Sequence, residues 1–153
     1  MRIHHLEREQ FVPAPLAEVF PFFAEPENLG ALTPPSMGFE ILTPPPREMK
    51  AGALIDYRIR LGPLPLRWRT LITEYEPPHR FVDEQLRGPY DLWHHTHTFA
   101  ERDGGTVLGD RVVYSLPLGP LGELAHALAV RRQLDGIFAF RRREVARRFG
   151  GEA

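Results

Sequence analysis

"DLWHHTHTFAERDGGTVLGDRVVYSL", residues 91–116, reads as two strands joined at Asp103-Gly104. On the first arm Trp93, His95, His97 and Phe99 alternate with His94, Thr96 and Thr98, the two-residue period of a strand whose faces meet different surroundings. Asp-Gly is among the strongest short hairpin signals, because the two-residue turn that matches strand twist needs positive φ at both central positions. A turn there sets His97 opposite Asp110 and His95 opposite Val112. One face of the hairpin then mixes apolar residues with two histidines and an aspartate, and what that mixture covers decides the fold.

The same alternation extends upstream through "ALIDYRIRL" (53–61), "LRWRTLITEY" (66–75) and "RFVDEQLR" (80–87). Short connections between consecutive strands imply an antiparallel meander. A turn bracketed by Gly62 and Pro65 places Ile59 across from Trp68, and a loop from Glu76 to His79 places Thr70 across from Gln85. A three-residue loop, Gly88-Pro89-Tyr90, sets Gln85 against Trp93 and Asp83 against His95. These choices agree on one apolar face, with Ile55, Tyr57, Ile59, Trp68, Thr70, Ile72, Phe81, Trp93, Phe99, Leu108, Val112 and Tyr114, that also carries Asp83, Gln85, His95, His97 and Asp110. The opposite face collects Asp56, Arg58, Arg60, Arg67, Arg69, Glu84, His94 and Arg111, as a solvated side should. A dry core rarely holds so many polar groups, since each one buried without a partner costs roughly 1–3 kcal/mol. A lined cavity accepts them.

Helical spacing flanks the strands. Leu16, Val19, Phe20 and Phe23 mark a first segment closed by Pro26. The second is expected from about Pro120 to Phe149, with Leu121, Leu124, Leu128, Leu134, Ile137, Phe138, Val145 and Phe149 as its apolar stripe. A long helix laid over a curved antiparallel sheet is an α+β arrangement that leaves room between its layers.

Composition narrows the function. At 153 residues, 42% hydrophobic and 25% charged, one domain over 1–153 is expected. A formal net charge of -1 argues against nucleic acid as partner. No apolar run reaches the roughly 18 residues of a spanning helix. With no cysteine and a charged start, "MRIHHLEREQ", a cytoplasmic location is expected, and thiol chemistry is excluded. Of the 19 basic residues only Lys50 is a lysine, and seven arginines lie between Arg131 and Arg148; they read as a solvated helix face. Peripheral contact with anionic lipid is the functional alternative for that run.

The order strand, short helices, six strands, long helix, together with "PENLGALTPP" (26–35), "PLRWRTLITEYEPPHRFVDEQLRGPYDLWHHTHTF" (65–99) and "GGTVLGDRVVYSLPLGPLG" (104–122), resembles the START-like helix-grip superfamily, SRPBCC. That superfamily includes polyketide cyclases, the birch pollen allergen fold and coenzyme-Q-binding proteins. These stretches are most similar to its bacterial ligand-binding and cell-division-inhibitor-like members. The resemblance implies about seven antiparallel strands wrapped around a long C-terminal helix, with two short helices after the first strand. It also implies a hydrophobic or amphiphilic ligand, such as a lipid, quinone or polyketide, held between sheet and helix.

The candidate ligand-binding residues are Tyr57, Trp68, Thr70, Asp83, Gln85, Trp93, His95, His97, Phe99, Asp110, Val112 and Tyr114. Binding without catalysis or cofactor is the first reading. The second is a cyclase or dehydratase in which Asp110 orients His97 and favours its protonated form for general acid or base work. The third is a metal on His95 and His97, whose one-face spacing suits a shared ion with Asp83, Glu101 or Asp110 as third ligand. His4, His5, His79 and His126 fall outside the pattern and carry no assigned role.

Overall fold

A computed structural model describes residues 1–153. Strand β1 (His4–Val12) leads into helix α1 (Leu16–Phe23), two 3-10 turns (Pro26–Leu32 and Pro35–Met37) and a short β2 (Glu40–Ile41). The meander follows as β3 (Leu54–Leu61), β4 (Leu64–Glu76), β5 (Arg80–Arg87), β6 (Leu92–Arg102) and β7 (Gly105–Ser115). The chain closes with α2 (Gly119–Ala125), a π-helical turn (His126–Val130) and α3 (Arg131–Phe149). The seven antiparallel strands take the order β1-β7-β6-β5-β4-β3-β2. This is the helix-grip architecture. Of the two short helices expected after β1, the first is α-helical and the second is a pair of 3-10 turns.

The β6–β7 hairpin turns at Asp103 and Gly104, with φ of 49° and 76°, and pairs His97 with Asp110 and His95 with Val112. Asp83 opposes His95 and Thr70 opposes Gln85. The β3–β4 hairpin differs from expectation. Its turn is the two-residue Gly62-Pro63, with Gly62 at φ 62°, so Tyr57 faces Trp68 and Ile59 faces Leu66. The slip is an even number of residues, so each side chain keeps its face. Pairing of β5 with β6 ends at Glu84 and His94, which leaves Gln85 off the ladder with Trp93. Register shifts in β4, between Arg69 and Thr70 and between Ile72 and Glu74, are the kind of irregularity that bends a strand.

Two apolar clusters hold the layers together. In one, Leu16, Val19, Phe20 and Phe23 of α1 pack on Phe81, Phe99, Leu108 and Val145. In the other, Leu134 and Phe138 of α3 pack on Leu6, Trp93, Val112 and Tyr114. Polar contacts fix α3 along β1: Arg8 donates to Asp135 at 2.6 Å, and Gln10 to the Arg142 carbonyl at 3.0 Å. The helix therefore lies over the β1–β7 side of the sheet, and the space left open lies over β3 to β6.

The apolar stripe expected before α3 does not face inward. Leu121, Leu124 and Leu128 are 69%, 56% and 72% exposed. Gly122 is the buried residue of α2, because a Cβ there would collide with the Pro117 carbonyl oxygen. This close approach turns the leucines outward. No helix is long and apolar enough to cross a membrane.

Candidate functional site

Between the two clusters lies a cavity of about 210 Å³. Its floor is the sheet face carrying Tyr57, Trp68, Thr70, Trp93, His95 and His97, and its roof is α3 through Leu134, Ile137, Phe138 and Arg141. The first 3-10 turn closes one side with Leu29 and Leu32, joined by Phe39 from the stretch just before β2. Strand alternation aims the floor residues inward, and the prolines of 26–46 break periodic structure so that the chain can fold over the opening. Trp68 and Trp93 meet edge to face at 5.3 Å, and Tyr90 packs against both. The result is a right-angled aromatic corner rather than a flat wall.

The polar end is a buried cluster. His95 Nε2 donates to Asp110 Oδ1 at 2.8 Å, and His97 Nε2 donates to Asp83 Oδ2 at 2.6 Å. The imidazoles stack with centroids 3.7 Å apart, and Phe81 stacks on the far side of His97 at 4.1 Å. An ionised carboxylate only accepts, so each Nε2 carries its ring's hydrogen. His97 Nδ1 is then a lone pair, facing Arg141 Nη2 at 3.5 Å. The same guanidinium lies 3.5 Å from Asp110 Oδ1 and 5.2 Å from the Phe23 ring centroid.

Burial sets the protonation states, modified by the neighbours. His97 is lowered to about 4, first by desolvation and then by His95, against the opposing pull of Asp83. It is a neutral imidazole at neutral pH, not the imidazolium that an Asp110 partner was expected to favour. Desolvation alone would raise both carboxyls. For Asp110 it is outweighed by Arg141 and His95, and for Asp83 by His95, His97 and Arg141, so both lie below the ordinary aspartate value. Burial, reinforced by Asp83, pushes the Tyr57 phenol up.

Seven of the twelve expected ligand-binding positions, Tyr57, Trp68, Thr70, Asp83, Trp93, His95 and His97, line this cavity. The other five do not reach its wall. Gln85 caps the β5–β6 loop, donating to the Tyr90 carbonyl at 2.7 Å and accepting from the Tyr90 amide at 3.1 Å. Phe99 belongs to the α1 cluster, and Val112 and Tyr114 to the α3 cluster. Asp110 stands behind His95. The reason is common to the β6–β7 positions: α1 and α3 cover that side of the sheet directly. His97 does face Asp110 on the ladder, but its hydrogen bond goes to Asp83.

Arg141 is the residue that sequence reasoning passed over. Its side chain is only 12% exposed, unlike most of the arginine run. The available signal was position: Leu134, Phe138, Arg141 and Val145 fall at i, i+4, i+7 and i+11, so Arg141 occupies an inward slot of the apolar stripe. Ligand atoms of Asp83, His95 and His97 lie within 4.8 Å of one another, close enough to share an ion. The guanidinium charge of Arg141, 3.5 Å from Asp110 and His97, however, opposes a second cation. Glu101 is exposed and is not part of this group.

Residues 12–138 match the family model described as polyketide cyclase / dehydrase and lipid transport. Among solved structures, the chain is similar to TTHA0849 from Thermus thermophilus, with a TM-score of 0.71 and 17% identity over 95% of this chain and 99% of that one. It is similar to the Zhui aromatase/cyclase from a Streptomyces species, with a TM-score of 0.68 and 15% identity over 95% and 96%. Similarity to Ara h 8.0201 has a TM-score of 0.66 and 18% identity over 94% and 98%. At these identities the likeness is one of fold. No curated protein matches the chain.

Proposed function

Because the chain belongs to the polyketide cyclase / dehydrase and lipid transport family, we propose that it binds one apolar, largely planar small molecule between sheet and α3. The ring system lies against Trp68, Trp93 and Tyr90, and a carbonyl, phenolate or carboxylate end lies toward Arg141. The observation that carries this reading is the state of the largely buried Arg141 guanidinium. It has five donors, yet its polar contacts, to His97 and Asp110, are both 3.5 Å long. An acceptor-bearing ligand supplies what those contacts leave open. The cavity of about 210 Å³ is smaller than the roughly 300–1,000 Å³ of drug-sized sites, which favours a few fused rings over a long acyl chain. The test is a matched series: naphthalene, 2-naphthol, 2-naphthoate and a long-chain fatty acid. Affinity should rise by about tenfold, worth about 1.4 kcal/mol, from naphthalene to the two acceptor-bearing compounds. Equal affinity for all three, or binding of the fatty acid alone, would contradict the reading.

A second reading, cyclase-type proton transfer, is favoured by one feature, the neutral His97 beside Arg141. A guanidinium at a ligand carbonyl stabilises an enolate, and a neutral imidazole accepts the proton that enolisation releases. Deuterium exchange at the acidic carbon of a bound aryl 1,3-diketone, faster than in buffer and lost in His97→Gln, is its expected sign. Exchange at the buffer rate would reject catalysis and leave the binding reading standing.

A further inference from the structure

We infer that the chain has a divalent-cation site remote from the cavity, formed by His4, Glu123 and His126, that clasps the start of β1 to the base of the C-terminal helix. The three residues come from β1, α2 and the π-helical turn, and one ligand atom from each lies within 4.8 Å of the other two. His4 Nε2 already sits on the carboxylate, 3.1 Å from Oε1 and 2.9 Å from Oε2. The His4 and His126 rings stack with centroids 3.7 Å apart. Two imidazoles and one carboxylate are a donor set that zinc accepts with a fourth position open.

The surroundings fit a prepared site. Tyr114 opposes His4 on the β1–β7 ladder, and its hydroxyl is 2.8 Å from His126 Nε2, where it orients the ring as an outer-shell partner would. The helix widens into a π turn starting at His126 itself, and such turns concentrate at functional positions. His4 and Glu123 side chains are 10% and 26% exposed, so the group is sheltered yet reachable. The neighbouring cations can yield: Arg2, 3.9 Å from Glu123, is 74% exposed, and Arg131 is engaged by Asp135 at 3.6 Å. At the cavity cluster, by contrast, the Arg141 side chain is only 12% exposed and its guanidinium lies 3.5 Å from both His97 and Asp110.

The test uses the full chain without a histidine tag. Zinc uptake is measured by competition with a chromophoric chelator, and cobalt(II) is substituted to read coordination from its visible spectrum. The expected result is one equivalent bound, with four-coordinate cobalt bands and a higher melting temperature in the presence of zinc. Glu123→Gln and His4→Gln should each weaken binding by about tenfold or more, and Tyr114→Phe, acting through His126, by a similar factor. His95→Gln should leave uptake unchanged. Absence of saturable uptake by the wild-type chain would overturn the assignment, as would uptake that survives Glu123→Gln and His4→Gln but disappears in His95→Gln.

Discussion

His97 lies across the β6–β7 ladder from Asp110, yet its Nε2 donates to Asp83 on the other flanking strand at 2.6 Å, while His95 crosses the opposite way to Asp110 at 2.8 Å. Two stacked imidazoles are thus held between two carboxylates in crossed pairs. The crossing aims each Nε2–H at an acceptor and leaves Arg141 as the cluster's donor with the longest contacts.

This arrangement makes stability depend on pH in a defined window. His97 has a folded pKa of about 4 against an ordinary value of 6.5, so between these limits the unfolded chain binds the extra proton. Stability is therefore insensitive to this group above about pH 6.5 and falls as pH drops toward 4, by on the order of 3 kcal/mol in full. Asp83 and Asp110, held below the ordinary value, lose their contribution at lower pH still. Urea midpoints measured from pH 7 to 4 should slope downward in the wild type and less steeply in His97→Gln. An equal slope in both would contradict the assignment.

The crossed pairing also decides which aspartate governs His97. Asp83 is the partner that favours its charged form. Asp83→Asn should lower the His97 pKa further, and Asp110→Asn should change it less. Proton NMR titration of the ring separates the two, and a larger response to Asp110→Asn would restore the direct cross-strand pair.

Phe99 and Ile137 separate core from cavity. Phe99 packs with Phe20, Phe23 and Phe81, away from the ligand space, so Phe99→Ala should cost about 3–5 kcal/mol of stability. Ligand affinity of the folded fraction should change little. Ile137 lines the cavity, and Ile137→Phe should crowd it, weakening binding with stability within about 1 kcal/mol of wild type. Paired denaturation and binding curves on the two variants check both outcomes.

Most of the sheet was legible because two-residue alternation and Asp103-Gly104 act locally: they fix faces and one register without knowledge of the rest. The β3–β4 register was not, since "GPLP" permits a turn of two residues or four, and both keep the same faces. The cavity boundary was less legible still. Alternation tells which residues point off a face but not what covers them, so Phe99, Val112 and Tyr114 looked like cavity residues and proved to be core. Leu29, Leu32 and Phe39 enter from a proline-broken stretch with no period to read. Arg141 was hidden by company, one arginine among seven.

Arg141 is expected to set ligand preference. Arg141→Met retains much of the stem's apolar packing against Phe23 and removes the donors. The variant should bind naphthalene about as well as wild type and lose the roughly tenfold preference for 2-naphthoate, equivalent to about 1.4 kcal/mol. A preference that survives the substitution would place the acceptor end elsewhere in the cavity.

The central claim, a planar ligand held in this cavity, is tested most directly by the chain's own fluorescence. It has two tryptophans, Trp68 and Trp93, and both line the cavity. With no cysteine to react, 1,4-naphthoquinone serves as a quenching ligand. Titration should quench most of the emission along a saturable curve with one equivalent bound, and Ile137→Phe, folded to the same extent, should shift that curve to higher concentration. Linear quenching in the wild type, or an identical saturable curve in Ile137→Phe, would contradict the account.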